Sequence, residues 1–192
     1  FTVTVNASPA APTITGNTSV CAGATGVTYS TGTYSSYNWT VTNGTITAGQ
    51  GTNTITVTWS NTPGTGNVAV AITDANGCSA NNNINVTINA LPTPSISGSN
   101  TVNINTDLVL TSTNAYNAYQ WTASGSPTIT NGTSQSATFN WSNAGSYVVT
   151  LTVTDANGCS NSTTHNVTVT GICQDVAITT QPQNQTACVG AS

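Results

Sequence analysis

Ten side chains of this chain have chemical reach: Cys21, Cys78, Cys159, Cys173 and Cys188, Asp74, Asp107, Asp155 and Asp175, and His165. Thiols can be oxidised in pairs, carboxylates can move protons or ligate a cation, and an imidazole can do either. Their spacing supports only the first chemistry. No Cys-x-x-Cys, paired-carboxylate cluster, glycine-rich phosphate loop or nucleophile elbow occurs, so catalytic, cofactor-binding and metal-ligating sets are all expected to be absent. His165 stands alone in the strand-like run Thr164-His-Asn-Val-Thr-Val, where a surface position is expected. Asp74 and Asp155 each precede Ala-Asn-Gly, and a carboxylate accepting turn N–H groups is the ordinary reason for an Asp there.

The residues that position these groups are written twice. Tyr37-Asn-Trp39, Trp59 and Thr73-Asp-Ala-Asn-Gly-Cys78-Ser79 return as Tyr119-Gln-Trp121, Trp141 and Thr154-Asp-Ala-Asn-Gly-Cys159-Ser160. Tyr34 to Tyr116, Tyr37 to Tyr119, Trp39 to Trp121 and Trp59 to Trp141 are each 82 positions apart, and Asp74 to Asp155 is 81. A period this long marks tandem copies of a whole domain, not turns of a solenoid. Phe1-Thr-Val-Thr-Val-Asn-Ala7 matches Ile84-Asn-Val-Thr-Ile-Asn-Ala90, so residues 1–8 read as the last strand of a preceding repeat. Repeats follow at 9–90 and 91–171, joined by short Pro-containing linkers that leave little slack, and 172–192 open a further repeat. The chain starts and stops in mid-pattern and is expected to be part of something longer.

Composition narrows the partners. The chain has no Lys, Arg, Glu or Met, and its four Asp give a net charge of −4. Phosphate binding is carried by Lys and Arg, which sets nucleic acid and anionic membrane surfaces aside. No window approaches a membrane span. Disorder is not expected despite the richness in Thr, Asn, Gly and Ser, because β-branched and aromatic residues alternate regularly. Ile55, Val57 and Trp59 share one face of Thr54–Trp59, and Tyr147, Val149, Leu151 and Val153 share one face of the second copy. Asn-Gly pairs at 43–44, 76–77, 131–132 and 157–158 are expected to be two-residue hairpin tips with positive φ at both positions. About seven short strands fit each copy, which is a two-sheet sandwich. Trp39 and Trp121 are expected to plug the cores, faced by Trp59 and Trp141 from the other layer.

Gly145-Ser-Tyr-Val-Val-Thr-Leu-Thr-Val-Thr-Asp-Ala-Asn-Gly158 resembles the closing signature of PKD domains, immunoglobulin-like sandwiches of extracellular proteins. Tyr37-Asn-Trp-Thr-Val-Thr-Asn-Gly44 and Gly51-Thr-Asn-Thr-Ile-Thr-Val-Thr-Trp59 resemble the PKD-like repeats of giant Bacteroidetes cell-surface adhesins, among them gliding-motility adhesins of the SprB type exported by type IX secretion. The segment Ile178–Gly190 resembles the opening of another immunoglobulin-like repeat. Where the standard PKD pattern has Phe-Gly-Asp-Gly, this chain has Val41-Thr-Asn-Gly44 and Ala123-Ser-Gly-Ser126, so the resemblance implies no calcium or ligand role for that Asp. It implies an all-β chain of tandem immunoglobulin-like sandwiches arranged head to tail, extracellular and attached as a filament to the outer membrane. Its partners would be neighbouring repeats, surface polysaccharide or other adhesin chains. The absence of Lys excludes a Lys-to-Asn isopeptide crosslink and leaves sheet edges without their usual Lys guard, and the absence of both Lys and Arg excludes any tryptic site.

Two readings of the thiols stand. An extracellular chain with five Cys suggests disulfides with one thiol left over. Cys21 can pair with Cys78 inside repeat 1. In an immunoglobulin-like topology, however, the first and last strands run parallel, which puts Cys21 and Cys78 at opposite poles, some 25 Å apart for eight residues. A disulfide needs Cα atoms within about 7 Å. Head-to-tail stacking would instead bring Cys21 to Cys159 of the next repeat, with Cys173 taking the part of Cys21 where repeat 2 has Asn103.

Two functions of different class fit these residues. One is a non-enzymatic stalk segment that spaces a binding tip from the cell and transmits force. The other is an ancillary binding or spacer module of a secreted polysaccharide hydrolase or peptidase. Exposed aromatics separate them, because sugar binders present a flat row of rings; Tyr34 and Tyr116 are the candidates for exposure.

Overall fold

Period-2 alternation runs through nearly every ordered segment, and in the computed structural model, which describes residues 1–3 and 5–171, each such segment is a β-strand. Repeat 1 contains β1 (Thr15–Gly16), β2 (Ser19–Cys21), β3 (Val27–Ser30), β4 (Ser36–Thr42), β5 (Gly44–Ala48), β6 (Thr54–Trp59), β7 (Gly64–Thr73) and β8 (Ser79–Asn89). Repeat 2 contains β9 (Ile96–Ser97), β10 (Thr101–Asn103), β11 (Leu108–Ser112), β12 (Ala118–Ala123), β13 (Thr128–Thr130), β14 (Ser136–Asn140), β15 (Gly145–Thr154) and β16 (Ser160–Thr170). Each repeat is a sandwich of two four-stranded sheets, ordered β1-β3-β6-β5 over β2-β8-β7-β4, and β9-β11-β14-β13 over β10-β16-β15-β12. The architecture is all-β and immunoglobulin-like.

Eight strands replace the expected seven because the first strand of each copy is split between the sheets. β1 pairs antiparallel with β3, and two residues later β2 pairs parallel with β8. Gly16 is the last residue of β1, and a Cβ there would enter the Tyr29 ring; in repeat 2 the break comes at Gly98, at φ 143, where a Cβ would meet the Leu110 side chain. The crossing lets one short segment close both sheets.

The Asn-Gly pairs do not all form hairpin tips, and none forms the expected two-residue turn. Asn43-Gly44 joins β4 to β5, which belong to different sheets, so it is a corner between layers. Asn43 takes φ 56 there, its side-chain amide donates to Thr65 O at 2.7 Å, and its carbonyl accepts from Ser60 N at 2.9 Å. Asn131-Gly132 lies in the five-residue loop of the β13–β14 hairpin, a different place in the copy. The pairs at 76–77 and 157–158 do close the long β7–β8 and β15–β16 hairpins. There only the glycine has positive φ, 81 for Gly77 and 79 for Gly158, because the preceding Asp organises a five-residue tip.

Two separate cores result. Trp39, Trp59, Ile55, Val57, Val68, Val70, Ile72, Val86 and Ile88 fill the first, and Trp121, Trp141, Phe139, Leu110, Val149, Leu151 and Val153 the second. All four Trp are 4% exposed or less. Trp39 and Trp59 come from facing sheets, as do Trp121 on β12 and Trp141 just after β14. The second core carries an aromatic run in which Phe139 stacks on Trp141 (5.7 Å) and Trp141 on Tyr147 (5.5 Å, 9°). Residues 1–3 and 5–8 lie in no strand, since a strand exists only against a partner and they find none among the described residues.

Candidate functional site

The junction between the repeats is where this chain concentrates its chemistry. β2 runs parallel to β8 with Cys21 opposite Asn89, and the chain then turns at once, Ala22 N donating to Asn89 O at 2.8 Å and Ala24 N to Cys21 O at 3.0 Å. The Asn89 amide reaches back to Ser19 Oγ (2.8 Å) and Val20 O (3.0 Å), pinning β2 to the end of β8. On the other side of the joint, Asp155 Oδ1 accepts from Asn157 N and Cys159 N, each at 2.9 Å, while Asp155 N donates to Cys159 O at 3.0 Å. A carboxylate that takes two backbone N–H groups fixes the tip, and with it the thiol of Cys159. Cys21 and Cys159 form a disulfide across the joint, with Cα atoms 5.6 Å apart and a sequence separation of 138.

Cys78 does not share that bond. It precedes Ser79, at the opposite end of the eleven-residue β8 from Asn89, about 36 Å from Cys21 along the strand. That exceeds the eight-residue separation expected from sequence, because β8 is longer. Cys78 sits in the tip of repeat 1 that corresponds to the Cys159 tip of repeat 2, its N donating to Asp74 Oδ1 at 2.9 Å and its carbonyl accepting from Asp74 N at 2.9 Å. It is half-buried and free, with Sγ 4.0 Å from Asn6 O. Cys173, Cys188 and Asp175, and with them the further repeat expected at 172–192, lie outside the described residues. At the place of Cys21, repeat 2 has Asn103, whose Oδ1 accepts from Thr170 Oγ1 at 2.7 Å.

The linkers are tethered in both copies. The Asn82 amide donates to Pro12 O (2.8 Å) and the Asn161 amide to Pro92 O (2.9 Å), so each last strand holds the peptide that enters its own repeat. Amide brackets of this kind were not visible in the sequence, where Asn is too common to single out. Gln50 Nε2 donating to Trp39 O and Gln135 Nε2 donating to Ser112 O, each at 3.0 Å, are of the same kind.

Tyr34 and Tyr116 are half-buried and packed against their cores. Each meets its neighbouring Tyr edge-on, at 6.2 Å, and donates its backbone N–H to that neighbour's hydroxyl, Tyr34 to Tyr37 at 2.6 Å and Tyr116 to Tyr119 at 2.7 Å. Edge-on tyrosines offer no flat row to a sugar. Three indole N–H groups are satisfied by carbonyls, Trp39 by Thr52, Trp121 by Ser134 and Trp141 by Ser124. Trp59 Nε1 is buried without an acceptor at hydrogen-bonding geometry; its ring meets Tyr29 edge-on at 6.0 Å. Burial raises the pKa of the Tyr29 hydroxyl, and the nearby Trp59 N–H opposes that rise. The same hydroxyl donates to Asn17 O at 2.8 Å.

His165, half-buried on β16, bonds through Nε2 to Ser99 O at 3.1 Å, which ties the β9–β10 turn to the sheet. Asp107 accepts from the Asn140 amide at 2.7 Å. Among the described residues no three His, Cys, Asp or Glu come together as a metal-holding group, and no helix is long and apolar enough to cross a membrane.

The comparisons with known proteins agree with this architecture. A PKD-like domain family model matches residues 7–86 and a PKD domain family model matches residues 85–171. No curated protein matches the chain at a significant level. Similar solved structures include the PKD domain of KIAA 1837 protein, 19% identical over 44% of this chain and 91% of that one, with a TM-score of 0.38. The C-terminal 282-residue fragment of intimin, solved with the intimin-binding domain of the translocated intimin receptor, is 15% identical over 83% of this chain and 64% of that one, TM-score 0.48. Fibronectin(III)-like modules of CbhA from Clostridium thermocellum are 11% identical over 91% and 100%, TM-score 0.43. Two matched family models, each coinciding with one eight-stranded sandwich, make residues 7–171 of this chain a tandem pair of PKD-like domains.

Proposed function

We propose that this chain is a non-enzymatic stalk segment of a long, repetitive cell-surface adhesin filament, which spaces a binding tip from the cell and carries tension between them. PKD-like domains serve as binding or spacer modules, and a disulfide fits an extracellular protein. The observation that carries the stalk reading is the Cys21–Cys159 bond. Tension entering at the first linker runs along β1 and β2 to Cys21, crosses to Cys159, and leaves through β16. Everything between those two cysteines, most of both sandwiches, lies inside a covalent loop that tension cannot lengthen. A module tethering an enzyme to its substrate gains little from such a bypass; a filament under load keeps its length by it. Adhesion, with gliding motility and type IX export as the setting that the sequence resemblance implies, is the role this mechanics serves, and surface polysaccharide or other adhesin chains are its candidate partners.

Single-molecule stretching of residues 1–192 tests the reading. In the oxidised chain, the 138-residue separation should be missing from the extension, and reducing the disulfide should release about 480 Å of extra contour length at roughly 3.5 Å per residue. Equal extension in both states defeats the load-bearing reading and leaves the ancillary module of a secreted hydrolase or peptidase.

A further inference from the structure

We infer that Cys78 is the receiving half of a second inter-repeat disulfide, whose other half is a cysteine on the second strand of a PKD-like repeat preceding residue 9. This goes beyond the stalk reading and holds equally if the array is a spacer beside an enzyme.

The joint at Cys159 supplies the template. There, three groups meet: the carbonyl of Asn89 at the end of β8, Cys21 beside it on β2, and Cys159 in the tip of the next repeat. At the other joint two of the three are already in place. Asn6 is the counterpart of Asn89, since residues 1–7 match 84–90, and Cys78 is the counterpart of Cys159. Asp74 holds Cys78 as Asp155 holds Cys159, with the same pair of backbone bonds to one carboxylate oxygen. At the Cys159 joint, Asn89 O is taken by Ala22 N, the residue after Cys21. At the Cys78 joint, the Asn6 carbonyl is instead approached by Cys78 Sγ itself, at 4.0 Å. The thiol therefore stands beside the acceptor that the residue after the missing cysteine would use.

An independent observation says what covers this place. Val3 and Val5 are 83% and 88% exposed, whereas their counterparts Val86 and Ile88 are 0% and 2% exposed in the first core. Residues 1–3 and 5–8 form no strand here, but a β8-like sequence with its two core positions bare in water fits the closing strand of a sandwich whose other strands belong to the preceding repeat. Supplying that sandwich covers Val3 and Val5 and lays its second strand parallel to residues 1–6, with a residue opposite Asn6 as Cys21 lies opposite Asn89.

The bond forms by exchange with an oxidised dithiol donor, such as a periplasmic or extracytoplasmic disulfide oxidoreductase. One protein thiolate attacks the donor disulfide, the second displaces the donor from the mixed disulfide, and the donor leaves as a dithiol carrying two electrons and two protons.

Peptide mapping decides the matter on the chain extended upstream in its own gene by about 85 residues, one repeat. Free thiols are alkylated before unfolding, and the unreduced chain is cut with chymotrypsin. The expected product is a Cys78 peptide bonded to a cysteine roughly 138 residues upstream, the spacing of Cys21 to Cys159. Alkylated Cys78, a bond from Cys78 to Cys21, Cys173 or Cys188, or an upstream repeat without a cysteine at that place would each overturn the proposal. Of these outcomes only a Cys78–Cys21 bond would also remove the Cys21–Cys159 bypass; the others leave it intact, so the two readings fail separately.

Discussion

Cys21 and Cys78 lie beside opposite ends of β8, Cys21 on β2 in register with Asn89 where β8 ends and Cys78 one residue before Ser79 where it begins. A repeat that carries a thiol at each pole can bond above and below, never to itself. The repeat thus becomes a link with two eyes, and its length is the length of β8.

Breaking the link should be costly well beyond the joint. Cys21→Ser removes a crosslink closing a 138-residue loop, which in the chain-entropy model restricts the unfolded chain by roughly 5 kcal/mol. Denaturant midpoints of the oxidised wild type and of Cys21→Ser should differ in that direction, and adding reductant should bring the wild type down to the variant. A variant as stable as the oxidised chain would show that the disulfide only records the stacking and does not enforce it.

The tip carboxylate is a second lever. Asp155→Ala leaves the N–H groups of Asn157 and Cys159 without their acceptor, a loss of about 1–3 kcal/mol for repeat 2, and it frees the tip that presents Cys159. Asp155→Asn keeps an oxygen at Oδ1 and should recover much of the loss. The rate of Cys21–Cys159 reoxidation reads the positioning directly: slowed in Asp155→Ala, near wild type in Asp155→Asn. Equal rates in all three would mean that the hairpin alone aims the thiol.

The sandwich was legible in the sequence because its signals are redundant: alternation in Thr54–Trp59 and Gly145–Thr154 is repeated at a fixed period, and each Trp falls in phase with it. Topology entered through the parallel pairing of first and last strands, which is what separates Cys21 from Cys78. Turn geometry was not legible. Asn43-Gly44 and Asn76-Gly77 are the same dipeptide, yet one turns a corner between sheets and the other sits in a hairpin tip. The deciding contacts, Ser60 N to Asn43 O and Asn76 N to Asp74 Oδ1, come from different distances along the chain. A dipeptide carries φ preference, and the sheet to which the next strand belongs is set by packing.

The four tryptophans should not respond alike to loss of their N–H. Trp141→Phe leaves the Ser124 carbonyl without this donor, whereas Trp59 Nε1 has no acceptor at hydrogen-bonding geometry, so Trp59→Phe breaks no hydrogen bond. The difference is expected to be about 1 kcal/mol, with Trp59→Phe the milder, in urea unfolding of the tandem pair. Truncation is another matter: Trp39→Ala or Trp121→Ala should cost about 3–5 kcal/mol by opening a cavity between the sheets. If Trp59→Phe proved the costlier of the two Phe variants, the edge-on contact with Tyr29 would have to be the stronger interaction.

Alkali should find repeat 1 first. Burial holds the Tyr29 hydroxyl protonated above the ordinary tyrosine pKa of 10.0, so above that pH the unfolded chain gives up a proton that the folded chain keeps. Stability then falls as pH rises, from the unfolded value up to the folded one, and is flat with respect to this group below pH 10. Leu110 opposes Ala137 in repeat 2 as Tyr29 opposes Ile55 in repeat 1, so the second copy carries no phenol at that place. Urea midpoints measured from pH 9 to 11.5 should therefore drop for the transition that exposes Trp39 and Trp59, and Tyr29→Phe should abolish that drop while losing the bond to Asn17 O at every pH. An alkaline slope that survives in Tyr29→Phe would assign it to another tyrosine.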